Sequence, residues 1–159
     1  MLTICNTSPL LYLNLIGQLR LLPLLYQEIV IPQAVVTELA AGASQGIQVP
    51  DPKTITWLQI MSVKSPSLLP LVIDLGAGET EVIGLALENP TSRVILDDQL
   101  GRRIALLNHL TVTGTLGVVV KAKQMGYLTK VKPIVQDLRL AGLWMSDGLE
   151  QLILAQAGE

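Results

Sequence analysis

The chain has 159 residues, half of them hydrophobic and 15% charged, which fits one domain with its own core and excludes a disordered chain. One cysteine, Cys5, and one histidine, His109, exclude an internal disulfide and a His- or Cys-rich zinc centre, so any metal site must be built from oxygen ligands. A net charge of −2 and 3% aromatic residues give no global nucleic-acid signal and no base-stacking platform of the kind an RNA-recognition motif carries.

In chain order, residues 2–5 form a short apolar run that predicts a strand. It ends at the polar turn Asn6-Thr7-Ser8-Pro9, where Ser8 is placed to cap a helix over residues 10–15 with Pro9 first. Residues 20–26 predict a second short helix despite Pro23. Residues 28–31 are a β-branched run that Pro32 ends, and residues 33–41 a helix stopped by Gly42. Residues 43–52 read as a loop and 55–63 as a strand, with Trp57 suiting a sheet edge. Residues 66–74 fit no single element. A helix over 79–88 follows the flexible Gly76-Ala77-Gly78. Residues 94–96 form a buried-type strand that runs straight into Asp97-Asp98. Helix 99–108, strand 110–112, the turn Thr113-Gly114-Thr115 and helix 116–125 follow, with Gly126 as a stop. Residues 133–140 and 146–155 predict two last helices.

No apolar run reaches the ~18–20 residues of a spanning helix. The apolar N-terminus is broken by Asn6, Asn14, Gln18 and Arg20 and has no positive start, so no membrane association or signal peptide is expected, and a cytoplasmic location is the default. Alternating strands and helices predict a single α/β domain over residues 1–159, a central mainly parallel sheet covered on both faces. In such sheets function gathers beyond the carboxyl ends of the strands. Those positions are Asn6, Asp97, Asp98 and the turn 113–115.

Two adjacent carboxylates after a buried strand repel each other and resist burial. A capping role for one and a solvated place for the other would account for them; a metal site needs further carboxylates. Glu38, within an otherwise apolar helix, and Glu79, opening another, are the candidates. Glu81 and Glu88 read as solvated, and Asp74 as a turn residue or helper. Carboxylates without His or Cys make a hard-oxygen site suited to Mg²⁺ or Mn²⁺, which bind substrate phosphates and activate water. Between Arg102 and Lys132 lie Arg102, Arg103, Lys121, Lys123, Lys130 and Lys132 with no carboxylate among them. Alone this is a solvated face; beside an acidic site it becomes a phosphate-contact surface.

These segments together resemble a known family. Asn6-Thr7-Ser8-Pro9 after the first strand is similar to the D-T-S-P start of PIN domains, and VVTELAAG (35–42) to the helix that supplies their glutamate. GAGETEVIGLALE (76–88), VILDDQLGRR (94–103) and TVTGTLGVVVKAK (111–123) resemble the central block of the PIN-like group known as domain of unknown function 3368. The resemblance spans nearly the whole chain. It implies a three-layer α/β/α sandwich and a metal-dependent ribonuclease using Mg²⁺ or Mn²⁺, with an RNA substrate. It further implies homodimers and, in many small bacterial members, a toxin role with an antitoxin partner. By position, Glu38, Glu79 and Asp98 match the family's acidic residues, with Asp97 adjacent; Ser8 and Thr113 match small hydroxyl positions. Asn6 departs from the pattern, since the family typically has Asp there. The isosteric amide keeps an oxygen but loses one charge, which implies weaker metal binding or lost activity. A non-catalytic nucleic-acid- or protein-binding module is therefore a second reading. A phosphorylated-ligand domain built on Gly76-Ala77-Gly78 is a third, although the full G-x-G-x-x-G pattern is missing. The apolar C-terminal residues Leu143, Trp144, Met145, Leu149, Leu152 and Ile153 suit the core, with some left for a dimer face or an antitoxin groove.

Overall fold

The computed structural model describes residues 1–159. Five short strands, β1 (Thr3–Cys5), β2 (Ile29–Pro32), β3 (Leu58–Met61), β4 (Arg93–Ile95) and β5 (Thr111–Thr113), form one all-parallel sheet in the order β3-β2-β1-β4-β5. Eight helices accompany it: α1 (Thr7–Leu15), α2 (Leu21–Tyr26), α3 (Gln33–Ser44), α4 (Ala77–Glu88), α5 (Gln99–Leu107), α6 (Thr115–Gln124), α7 (Lys132–Ala141) and α8 (Asp147–Gln156).

Successive side chains of a strand point to opposite faces. Every residue of β1 and β2 is nevertheless buried, as are Val94, Ile95 and Leu96, so both faces of the sheet are covered. α1, α2 and α6 pack together with α7 and α8 behind them, while α4 lies across β1, β2 and β4 and joins α3 to α5. This is the three-layer α/β architecture the alternating pattern predicts. The chain moves outward from β1 through β2 to β3, then returns to place β4 on the other side of β1. The reversal opens a crevice between the carboxyl ends of β1 and β4.

The structure departs from the expected elements in several places: the strand expected over 55–63 is confined to β3, Pro32 is taken into β2, and four further differences bear on the site and its frame. α1 begins at Thr7 with Asn6 as its N-cap and no side-chain cap bond; Ser8 is engaged elsewhere. α3 runs through Gly42 to Ser44, and its stop is Gly46 at φ +82°. The Gly46 N–H donates to Ala43 O and the Ile47 N–H to Gly42 O, both at 3.0 Å, the paired closure of a Schellman motif. Gly42 instead lets Val49 approach, since a Cβ there would meet Val49 Cγ1 at 3.2 Å. The turn after β5 shrinks to Gly114, because Thr115 already starts α6. Glu81 and Glu88 are not solvated. Glu81 Oε1 accepts from the Ala34 N–H at 3.1 Å, and Glu88 Oε1 takes the N–H groups of Lys64 and Ser65. Glu81 thereby caps α3, which has no capping side chain of its own.

A second remote cap closes α7, whose own N-cap is Val131. Glu159 accepts from the N–H groups of Val131 at 2.6 Å and Lys132 at 3.1 Å, and pairs with Lys123 Nζ at 2.8 Å. These contacts, the Lys123 hydrogen bond first, lower the Glu159 pKa from 4.5 to about 2. The folded state therefore holds the carboxylate more tightly than the unfolded chain does. That stabilisation is complete above the unfolded value and is lost as pH falls toward about 2. Glu159→Gln is expected to lower the thermal midpoint at neutral pH, with the gap to the natural chain closing as pH drops through this window, read by circular dichroism.

Candidate acidic site at the carboxyl edge of the sheet

Pairing of β1 with β4 sets the site. The Asn6 N–H donates to Ile95 O at 3.0 Å, which fixes Asn6 one residue past β1 and beside the end of β4. Asn6 is 1% exposed. Its Nδ2 donates to Glu79 Oε1 at 2.8 Å, while its Oδ1 is buried and has no donor. Glu79 lies in the first turn of α4, next to Gly78. A Cβ on Gly78 would fall 2.5 Å from Glu38 Oε1 and 2.7 Å from Asn6 Oδ1, so these two oxygens face one small space that only a glycine leaves open.

Glu38 reaches this space from α3, whose neighbours Val35 and Leu39 are buried in the core. Its Oε1 accepts from Thr7 Oγ1 at 2.6 Å and its Oε2 from the Gly78 N–H at 3.1 Å. With Glu81 on Ala34, this cross-links α3 and α4 twice and holds both glutamates to one frame.

The two aspartates divide the work. Asp97 turns toward α1 and α6, where it accepts from Ser8 Oγ at 3.1 Å, the Thr115 N–H at 2.7 Å and Thr115 Oγ1 at 2.6 Å. Asp98 is exposed and caps α5, accepting from the Gly101 N–H at 2.7 Å. Asp98 Oδ2 and Glu79 Cγ stand 3.3 and 3.4 Å from the Cβ position of Gly101, so Asp98 borders the Glu79 side of the site.

No three His, Cys, Asp or Glu side chains are grouped so as to hold a metal ion by themselves. The donor set nearest to one is mixed: the Asn6 amide oxygen, Glu38 and Glu79. Reversing the Asn6 amide would satisfy the orphaned oxygen's side but set oxygen against the Glu79 carboxylate. As oriented, the amide relieves Glu79 and leaves one buried acceptor beside Glu38. An unpaired buried acceptor costs about 1–3 kcal/mol, and a hard cation is a group that would satisfy it. The chemistry of these residues therefore fits Mg²⁺ or Mn²⁺.

Among the basic residues, Arg102 comes near. Arg102 Nη1 donates to Leu96 O at 2.9 Å and stands, with Asp97 Oδ1, 2.9 Å from the Cβ position of Gly114; Arg103 is exposed on the same helix. Lys121 and Lys123 are carried away, because α6 starts at the site and runs to the opposite edge of the sheet. Lys121 Nζ lies 4.6 Å from the Tyr26 ring centroid, and the Arg93 guanidinium lies 4.9 Å from it. Burial first, and Arg93 second, hold the Lys121 ammonium below its usual pKa. Lys123 is paired with Glu159. Thr113 ends β5 with its hydroxyl against Gly117, and Thr115, not Thr113, grips Asp97. Cys5 is wholly buried, and that burial, reinforced by the Asp97 charge, pushes its thiol pKa well up. It is a neutral core residue, as the sequence predicts.

Sequence reading gave Thr7 no role, and placed Thr115 and Gly78 only within the turn 113–115 and the glycine run 76–78. Each follows a strand or turn and opens a helix, so its signal is position: a hydroxyl or bare N–H in the first turn faces whatever lies beyond the sheet's carboxyl edge. Gly78→Ala is expected to push the Glu38 carboxylate out of place and to cost about 1–3 kcal/mol of stability, the scale of an overpacked site, measured by denaturant unfolding. The neighbouring Ala77 is exposed, and Ala77→Ser serves as a control expected to leave stability unchanged.

The family model described as PIN domain matches residues 2–159. Neither a comparison with curated proteins nor one with solved structures finds a match. The family match covers all five strands and the whole of the acidic edge, and so the chain belongs to the PIN domain family.

Proposed function

We propose that this chain is a metal-dependent nuclease, an endoribonuclease acting on RNA, whose first acidic position has become an amide. Membership of a family of nucleases supports the general activity. The observation that carries the metal-dependent reading is the buried, donor-less Asn6 Oδ1 facing the same space as Glu38 Oε1.

In this reading Asn6, Glu38 and Glu79 hold the ion. A bound Mg²⁺ or Mn²⁺ supplies charge neutralisation on a phosphate oxygen and a more acidic water. The chain's own residues do the rest. Thr7 and the Gly78 N–H fix the Glu38 carboxylate, and Asn6 Nδ2 fixes Glu79. Ser8 and Thr115 hold Asp97 at the end of β4, where it serves as an acidic helper. Asp98 borders the site while capping α5, and Arg102 and Arg103 supply positive charge for a polyanion. A toxin role, a silencing antitoxin and a homodimer belong to the same reading. Leu106 and Leu107, at the end of α5, are largely exposed and supply apolar area on which a protein partner would seat.

The second reading is a binding module that does not cleave. It is favoured by the Asn6–Glu79 hydrogen bond, which does part of a cation's work without one. The two readings part on manganese-dependent cleavage of mixed RNA. Glu38→Gln and Glu79→Gln are each expected to cut the rate by about 10–100-fold or more. Asp98→Ser, which keeps a capping acceptor, controls for the cap, whereas Asp98→Ala also costs about 1 kcal/mol of stability. Equal cleavage by both glutamine variants and the natural chain would sink the site.

Asn6→Asp restores a charge and removes the amide donor to Glu79. It is expected to raise Mn²⁺ affinity by about tenfold or more, measured by titration calorimetry, and to raise cleavage with it. If neither rises, Asn6 stands outside the metal site.

A further inference from the structure

A cleft of about 400 Å³ opens from the acidic edge along β5, between α6 and α8. Its lining includes Asp97 and Arg102 from the acidic edge and Trp144, Leu152 and Gln156 from the carboxyl-terminal part of the chain. Trp144 is one of two tryptophans in a chain with no phenylalanine, and it is 80% exposed. It lies in the connection between α7 and α8 and carries no structural hydrogen bond.

Charge and size narrow the occupant. Arg102 is tethered to Leu96 O by one N–H and forms no ion pair, so most of its five donors stay free for an anionic group. An apolar protein segment filling this cleft would bury the Arg102 guanidinium, which has one hydrogen bond and no ion pair, without new partners, which is costly. One helical turn, about 10 Å across and 5.4 Å high, would already fill the volume. A flat, polar-edged ring attached to a phosphate suits the lining better: Trp144 offers a stacking face, Gln99 and Gln156 offer amides to a polar edge, and Arg102 offers donors to a phosphate.

We propose that this cleft is a base-binding subsite, which seats one unpaired nucleobase of the substrate strand against Trp144 while the adjoining phosphate lies along Arg102 toward the acidic edge. The subsite rests on the nuclease reading above and deepens it: it gives Trp144 the role of holding an unstacked base next to the phosphate that lies along Arg102. Base–aromatic stacking discriminates little among the four bases, so the subsite selects for strandedness more than for sequence.

The test uses the full chain carrying Trp57→Phe, so that Trp144 is the only indole, with Ca²⁺ in place of Mn²⁺. A short single-stranded oligoribonucleotide is expected to quench Trp144 emission. It is also expected to bind about tenfold more tightly than the same backbone made abasic, the scale of one stacked base. Trp144→Ala, an exposed position where folding is not at stake, is expected to abolish that difference and to raise the KM for RNA cleavage by a similar factor. An unchanged preference for the based strand in Trp144→Ala overturns the subsite. So does absence of quenching, or a Trp144→Ala change that only splits a dimer in light scattering, which would make the cleft a protein interface. Base-dependent quenching without any Mn²⁺-dependent cleavage sinks the nuclease reading and leaves the subsite standing. Cleavage indifferent to bases does the reverse.

Discussion

Asn6 is the point at which backbone pairing, burial and charge meet. Its N–H completes the ladder between β1 and β4, so its side chain has no freedom to leave the crevice. Two carboxylates from distant helices are brought against it, Glu38 and Glu79. Like charges this near one another disfavour the folded state unless something compensates. The surroundings supply that compensation in several small parts. Five helices, α1, α3, α4, α5 and α6, begin at this edge of the sheet, and helix N-termini carry partial positive charge and free N–H groups. Gly78, Gly101 and Thr115 each give such an N–H to a carboxylate. Thr7, Ser8 and Thr115 add hydroxyl donors. A doubly covered parallel sheet makes this arrangement natural, because every helix that follows a strand starts on the same edge.

The same geometry separates the charges. The amino-terminal edge carries Arg93 and Lys121 about Tyr26, and the carboxyl edge carries the acids. Neither lysine's stretch of sequence hints at this separation. A helix of ten residues such as α6 rises about 15 Å, which is enough to carry its last turn from one edge of a short-stranded sheet toward the other. Lys121 and Lys123 are therefore spent on Tyr26 and Glu159, while Arg102, one turn into α5, stays at the acidic edge.

This contrast explains what could be read from the sequence. The parallel sheet was legible because its strands are short, mostly apolar or β-branched and punctuated by helical periods, a pattern that survives without knowledge of contacts. The strand-end positions Asn6 and Asp97 follow from the topology of such sheets. Glu38 and Glu79 were legible as candidates only through polarity within apolar helices. The same argument failed for Glu81 and Glu88, which look identical on paper and serve as remote caps for backbone far along the chain. Capping across 47 residues in the case of Glu81 has no local signature. Helix ends were misjudged for a related reason: Gly42 suited a stop, but the left-handed glycine that ends α3 is Gly46, and the choice between them depends on where Val49 packs. In the pair Asp97-Asp98, the sequence could say that one would cap, but not which. The structure gives the cap to Asp98 and the half-buried hydroxyl cage to Asp97.

The amide at position 6 changes the balance of the site more than its size suggests. A carboxylate there would place three acids around one glycine, and the pocket would depend on a cation for its folded energy, as metal-coupled sites do. The amide removes one charge and turns an oxygen's repulsion into a donated hydrogen bond to Glu79. Only one buried oxygen is left wanting. Binding of a cation would then return less free energy to the fold, since less strain awaits relief, and occupancy would depend more on the phosphate arriving with its own charge. Cation and substrate would on this account bind together more strongly than either alone. The exposed Arg102–Trp144 cleft beside the acids is placed where a strand could supply that missing charge.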